Sequence, residues 1–154
     1  MRILVVSDTH RDSGALLRAI LREPEAGTVI HLGDGAEEAE AMKLRFPLKK
    51  FLQVCGNCDW GSSLPLDGFL TVGGKNIFYT HGHTYNVKYG LADVESAARR
   101  RKADVLLFGH THCPLSKYDH GLYILNPGSL NGTEGTYGTL DITPAGIVTN
   151  VIRI

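Results

Sequence analysis

The stretch Val105-Leu106-Leu107-Phe108-Gly109-His110-Thr111-His112 sets an apolar run directly against a glycine and two histidines one residue apart. Such an unbroken aliphatic run reads as a strand buried on both faces, the kind found where helices cover a sheet. In extended backbone, residues i and i+2 point the same way, so a strand fraying into a turn here would deliver two imidazoles to one place. Gly109 would permit the sharp turn. Two histidines so presented suit a metal; as loop residues with ordinary hydrogen bonds they would carry no chemistry. The rest of the chain decides between these readings.

Upstream, Arg2 to Val6 is a second apolar run and ends in Ser7-Asp8-Thr9-His10, a carboxylate and an imidazole again two apart. Asp12 or Ser13 can cap a helix through about Glu23, with Leu16, Leu17, Ile20 and Leu21 as its apolar stripe. Thr28 to Leu32 reads as a buried strand ending in Gly33-Asp34-Gly35, followed by a helix from Glu37 to Arg45. Phe51 to Val54 runs into Cys55-Gly56-Asn57-Cys58-Asp59. Phe69 to Val72 and Ile77 to Thr80, joined by Gly73-Gly74-Lys75-Asn76, read as a hairpin whose second strand ends in His81-Gly82-His83. A helix from about Leu91 to Lys102 leads into the opening stretch. Beyond it come four short strands, Leu115 to Tyr118, Leu122 to Leu125, Tyr137 to Ile142 and Ile147 to Ile154, with turn residues and no helix between them. Helices alternating with strands early, and antiparallel strands late, predict an α/β protein of two packed sheets flanked by helices.

At 154 residues and 43% hydrophobic content, residues 1–154 are expected to form a single domain with a sizeable core. Sixteen Lys and Arg balance sixteen Asp and Glu, so no overall field would hold nucleic acid or an anionic membrane. Arg99-Arg100-Arg101-Lys102 closes a helix, where cations complement the dipole, and does not read as a nucleic-acid patch. The apolar run Ile3 to Val6 is too short for a signal segment or a membrane span, and the odd set Cys55, Cys58 and Cys113 suits a reducing compartment, so a cytoplasmic location is expected. Cys55 and Cys58 have the spacing of a redox or zinc pair, but no second pair accompanies them. An exposed late strand edge allows a homo-oligomer without requiring one.

Five strand endings thus carry metal-capable groups: Asp8 with His10, Asp34, Asn57, His81, and His110 with His112. Sites in α/β sheets gather at the carboxyl ends of strands, so these residues are candidates to meet in one crevice. Two carboxylates, one amide oxygen and four imidazoles are too many for one ion. Divided between two divalent ions, with Asp34 able to bridge, they give each about four protein ligands. Oxygen and nitrogen ligation suits manganese, iron, zinc, cobalt or nickel and does not choose among them, and manganese is the ion expected first. Paired ions of this kind clamp a phosphoryl group and generate a hydroxide nucleophile.

Taken in order, Asp8-x-His10, Gly33-Asp34, Gly56-Asn57, His81-Gly82-His83 and Gly109-His110-x-His112 resemble the signature of the calcineurin-like metallophosphoesterases. Gly56-Asn57-Cys58-Asp59 and Asn126-Pro127-Gly128-Ser129 resemble in particular the YfcE-type phosphodiesterase branch. The resemblance implies a four-layer α/β/β/α sandwich of two mixed sheets. It implies that Asp8, His10 and His112 hold one metal, that Asn57, His81 and His110 hold the other, and that Asp34 bridges them. His83 would face the substrate or support the metal ligands from behind, and Asn126 to Ser129 would form a structural turn near the site. Where the wider superfamily carries a histidine that assists the reaction, this chain has Cys58, leaving Cys58 or His83 to supply the proton. The implied activity is attack of a metal-bound hydroxide on a small phosphodiester. The alternatives are a phosphomonoesterase or nucleotidase on the same site, or a non-catalytic protein-binding scaffold like the retromer subunit of this fold. His31 and His120 read as structural.

Overall fold

In the computed structural model, which describes Met1–Ile154, ten strands and three helices follow one another as β1 (Arg2–Val6), α1 (Ser13–Arg22), β2 (Ala26–His31), α2 (Ala36–Arg45), β3 (Lys50–Gln53), β4 (Asp67–Val72), β5 (Lys75–Thr80), α3 (Ala92–Arg100), β6 (Val105–Leu107), β7 (Leu115–Asp119), β8 (Leu122–Asn126), β9 (Thr136–Thr143) and β10 (Gly146–Arg153). They form two five-stranded sheets, in the orders β10-β9-β1-β2-β3 and β4-β5-β6-β8-β7. In the first sheet β1, β2 and β3 are parallel, and in the second β5, β6 and β8 are parallel.

Pleating divides each apolar run between two cores. Ile3 and Val5 of β1 meet Ile77, Tyr79, Val105, Leu107 and Leu125 in the core between the sheets. Leu4 and Val6 point the other way, onto Ala15, Leu16, Ala19 and Ile20 of α1 and Met42 of α2. On the far side, Phe78, Leu106 and Ile124 pack against Val94, Ala97 and Ala98 of α3. Three cores in series require four layers, so the order α/β/β/α follows from the alternation itself. Each buried aliphatic side chain contributes on the order of 1.5–3 kcal/mol, which fixes the register of the central strands.

One expectation changes. The hairpin of β4 and β5 pairs Val72 with Lys75, so its loop is only Gly73-Gly74, with φ of 58° and 72°. That is the type I′ geometry whose twist matches the strands, and it needs left-handed backbone at both positions. The late strands divide between the two sheets. β8 runs parallel to β6, while β9 and β10 cross back to flank β1. Turn residues specify the local hairpins β7–β8 and β9–β10 but not the sheet each one joins.

The basic end of α3 is occupied internally. Arg99 donates to the Asp119 and His120 carbonyls at 2.9 and 2.8 Å, and Arg101 lies over the Phe78 ring at 4.5 Å and 3.6 Å from Asp67. No helix is long and apolar enough to cross a membrane.

Candidate metal centre

The central strand of each sheet supplies a pair of site residues: β1 leads into Asp8 and His10, and β6 leads into His110 and His112. β2 and β5 beside them, and β3 beyond β2, supply Asp34, His81 and Asn57 at the same rim. Asp8 Oδ1 lies 3.2 Å from His112 Nε2 and 3.6 Å from His10 Nε2, and those two imidazole nitrogens are 3.3 Å apart. His81 Nε2 lies 2.9 Å from Asn57 Oδ1 and 3.2 Å from His110 Nδ1. Between the two groups stands Asp34 Oδ2, 3.9 Å from His10 Nε2 and 3.5 Å from His81 Nε2. All seven residues marked in the sequence therefore meet.

The donor set fits divalent cations. Asp8 and Asp34 are 0% and 4% exposed, and their only ion-pair neighbours within 4 Å are histidines. Buried carboxylates without a lysine or arginine carry a large desolvation cost that a cation would offset. His81 is fully buried and hydrogen-bonds through Nδ1 to the Leu32 carbonyl at 2.6 Å, which orients its Nε2 toward Asn57 and Asp34. A carbonyl partner of this kind fixes the tautomer and aim of a metal-binding imidazole.

The backbone here is strained. Asp8, His10, Asp34, His110 and His112 have φ of 54°, 43°, 58°, 68° and 59°. Non-glycine residues in this region cost about 1 kcal/mol or more each and persist where surrounding bonds hold them. Asp8 N–H donates to the Gly33 carbonyl and His10 N–H to the Asp34 carbonyl, both at 3.0 Å, stitching the two strand ends together. His110 N–H donates to Asp8 Oδ2 at 3.1 Å. The expectation for Gly109 is corrected on this point: the left-handed residues are the histidines, not the glycine. A Cβ on Gly109 would lie 2.1 Å from Ser7 Oγ, so its role is close approach. Because the backbone is not extended, His110 and His112 also divide between the two groups instead of pointing to one spot.

Of the supporting residues, Asp59 and Asn131 were given no role by the sequence. Asp59 Oδ2 accepts from the N–H groups of Asp34 and Gly56, both at 2.8 Å, and Oδ1 accepts from Gly35 and Ala36 at 3.0 and 3.1 Å. One carboxylate thereby locks the Asp34 loop to the Asn57 turn and caps α2, whose N-cap position is Gly35, without a side chain of its own to do so. Ser129 Oγ donates to the Asp8 carbonyl at 2.8 Å, and Asn131 Nδ2 to the Thr9 carbonyl at 2.8 Å. Asn126 Nδ2 donates to the Gly109 carbonyl at 3.2 Å while its Oδ1 accepts from Gly128, so the Asn-Pro-Gly-Ser turn does brace the site. His31 accepts from Gly33 N–H on Nδ1 and meets Thr9 Oγ1 through Nε2, which makes it structural. His120 is exposed beside Asp119, away from the site.

Cys58 offers its N–H to Asp34 Oδ1 at 2.7 Å, and its thiol lies close to His10 and Asp34. Burial first, and then the Asp34 charge, push that thiol up, so it keeps its proton at neutral pH. The cysteines are free, and Cys55 turns its thiol onto the Gly56 carbonyl at 3.4 Å. His83 follows in a short 3₁₀ turn, with its ring centre 5.2 Å from that of His81 and its Nδ1 buried without a partner.

Burial would raise Asp34, but the hydrogen bonds from His81 and from Cys58 N–H outweigh it and hold the carboxyl well below the usual carboxylate range. Burial, followed by the charges of His81 and Lys88, pushes His110 down to about 4. A histidine lowered in the fold stays neutral where the unfolded chain, at about 6.5, already binds a proton. Its contribution is therefore present above about pH 6.5 and lost as pH falls toward about 4. We expect the stability gap between wild type and His110→Gln, measured by thermal unfolding in chelator, to change across that window. A gap that is flat in pH would contradict the shift.

The profile described as the calcineurin-like phosphoesterase superfamily domain matches residues 1–144. The chain is 36% identical over 132 residues to the probable metallophosphoesterase YsnB of Bacillus subtilis, covering 84% of this chain and 75% of that protein. It is 27% identical over 168 residues to phosphodiesterase YfcE of Escherichia coli, covering 92% and 88%. Among solved structures, a single mutant of Vps29 from Entamoeba histolytica superposes with a TM-score of 0.78 at 22% identity over 100% of this chain and 99% of that one, a likeness of fold. With the strand-end residues of β1, β2, β3, β5 and β6 meeting at one rim, the chain belongs to the calcineurin-like phosphoesterase superfamily, in its YfcE-type branch.

Proposed function

We propose that this chain is a metal-dependent phosphodiesterase. Asp8, His10 and His112 would hold one divalent ion, Asn57, His81 and His110 a second, and Asp34 both. The observation that carries this reading is the placement of Asp34 Oδ2 between the two groups of donors. When bound, such a pair supplies a water of pKa about 7 and charge to neutralise the phosphate, and the mixed oxygen and nitrogen donors are compatible with manganese.

The chain's own residues prepare the site for this. Asp34 stays ionised, and His81 is aimed by the Leu32 carbonyl. Asp59 fixes the spacing between the Asp34 and Asn57 loops. Cys58, whose thiol burial pushes up, and His83, beside the His81 and His110 rings, are the two side chains that would supply a proton to the leaving oxygen. The converging side chains include no lysine or arginine, which favours the single charge of a diester over the double charge of a monoester.

Hydrolysis of bis(nitrophenyl) phosphate beside nitrophenyl phosphate, with manganese and with chelator as control, tests the reading. Diester hydrolysis that exceeds monoester hydrolysis and disappears in chelator is expected. A preference for the monoester would move the assignment to a phosphomonoesterase. No hydrolysis of either across several metals would support a scaffold, in line with the Vps29 likeness.

A further inference from the structure

A cleft of about 970 Å³ opens beside the metal centre and shares His10, Asp34 and Cys58 with it. One wall is the start of α2, and the other is the loop carrying Trp60. Trp60 is the only tryptophan in the chain and is 90% exposed. A large aromatic surface left in water next to a reaction centre gains most when a flat group covers it. Beside His10 at the mouth stands Arg11, also exposed, whose backbone N–H and not its guanidinium is engaged by Glu38. Glu37 and Glu40 line the α2 wall and are exposed, so the cleft beyond Arg11 is acidic and opposes a second phosphate.

From this combination we infer that the cleft seats an uncharged planar ring of the ester, an aryl group or a nucleobase, stacked on Trp60 while the phosphate lies at the metal centre. The inference rests on the phosphodiesterase reading for the position of the phosphate. Stacking on a single exposed aromatic is tolerant of ring identity, so the preference is for flatness over a particular pattern of hydrogen bonds.

The experiment compares methyl phosphate, phenyl phosphate and thymidine monophosphate as inhibitors of diester hydrolysis by the manganese- or zinc-loaded protein, with Trp60 fluorescence followed in parallel. Phenyl phosphate and thymidine monophosphate are expected to quench Trp60 and to inhibit about tenfold more tightly than methyl phosphate. Trp60→Ala should erase that difference while leaving inhibition by methyl phosphate unchanged, and Trp60→Phe should retain most of it. Preference for thymidine over phenyl would identify a nucleobase as the ring, and the reverse an aryl group. Equal inhibition by all three in the wild type, or a Trp60→Ala variant that weakens all three alike, would overturn the proposal. If no diester is hydrolysed, the catalytic reading fails, and the fluorescence titration still reports the cleft on its own.

Discussion

An Asp34→Asn variant is expected to lose chelator-sensitive diesterase activity by about 10²-fold or more while remaining folded. The magnitude follows from removing a few kcal/mol of charge stabilisation at a paired metal site, at about 1.4 kcal/mol per factor of ten. The amide keeps the volume of the carboxylate and still presents an oxygen to the Cys58 N–H, so the loop geometry that depends on that 2.7 Å bond should survive. What it loses is the charge and the shared oxygen that stands 3.9 Å from His10 Nε2 and 3.5 Å from His81 Nε2. An amide nitrogen at that position would repel a cation. Bound metal should therefore fall from about two ions per chain toward one, and thermal stability in chelator at neutral pH should fall modestly, because the fold holds the Asp34 carboxylate ionised through His81 and the Cys58 N–H, and the neutral amide loses that contribution. Metal analysis and diester kinetics on the same preparation check both halves. Unchanged activity together with unchanged metal content would dispose of the bridging role.

The site was readable because its donors are of an uncommon kind for strand ends. Asp8, Asp34, Asn57, His81 and His110 each follow an apolar run, and the rule that parallel strands present such ends at one rim was enough to predict their meeting. The sequence could not show how the backbone manages it. The left-handed conformations at His110 and His112, which split the pair between two groups, depend on bonds from Asp8 and the Asn126 turn that come from distant strands. The need for glycine at 109 is equally hidden in the sequence, since the Ser7 hydroxyl that excludes a side chain there lies at the end of the other sheet's central strand. The layers were legible from the alternation of Ile3 and Val5 against Leu4 and Val6, once two faces are assigned to a run that is apolar throughout. The return of β9 and β10 to β1 was not, because a hairpin turn constrains only the strands it joins.

Asp59 is the residue whose importance sequence reasoning had least access to, because all its strong partners are main-chain N–H groups. Asp59→Ala strips acceptors from Asp34, Gly35, Ala36 and Gly56 at once, and of these only Ala36 lies at a helix end that water can easily serve. Hydrogen bonds to a charged acceptor contribute about 1.5–3 kcal/mol each, but four that share one carboxylate do not add, so a net loss of about 3 kcal/mol is expected. At roughly 2–4 °C per kcal/mol for a chain of this size, the unfolding midpoint in chelator should fall by roughly 6–12 °C. Activity well below that midpoint should fall as well, by about 10- to 100-fold, the usual cost of losing a residue that orients metal ligands. A purely structural role would lower the midpoint and leave metal affinity in the cold unchanged; a positioning role weakens affinity in the still-folded protein. Asp59→Asn, which keeps one acceptor oxygen for the Asp34 and Gly56 pair or for the Gly35 and Ala36 pair, should fall between wild type and alanine on both readouts. A wild-type midpoint in Asp59→Ala would mean that the two loops are held by other bonds, the Asp34–Cys58 contact first among them.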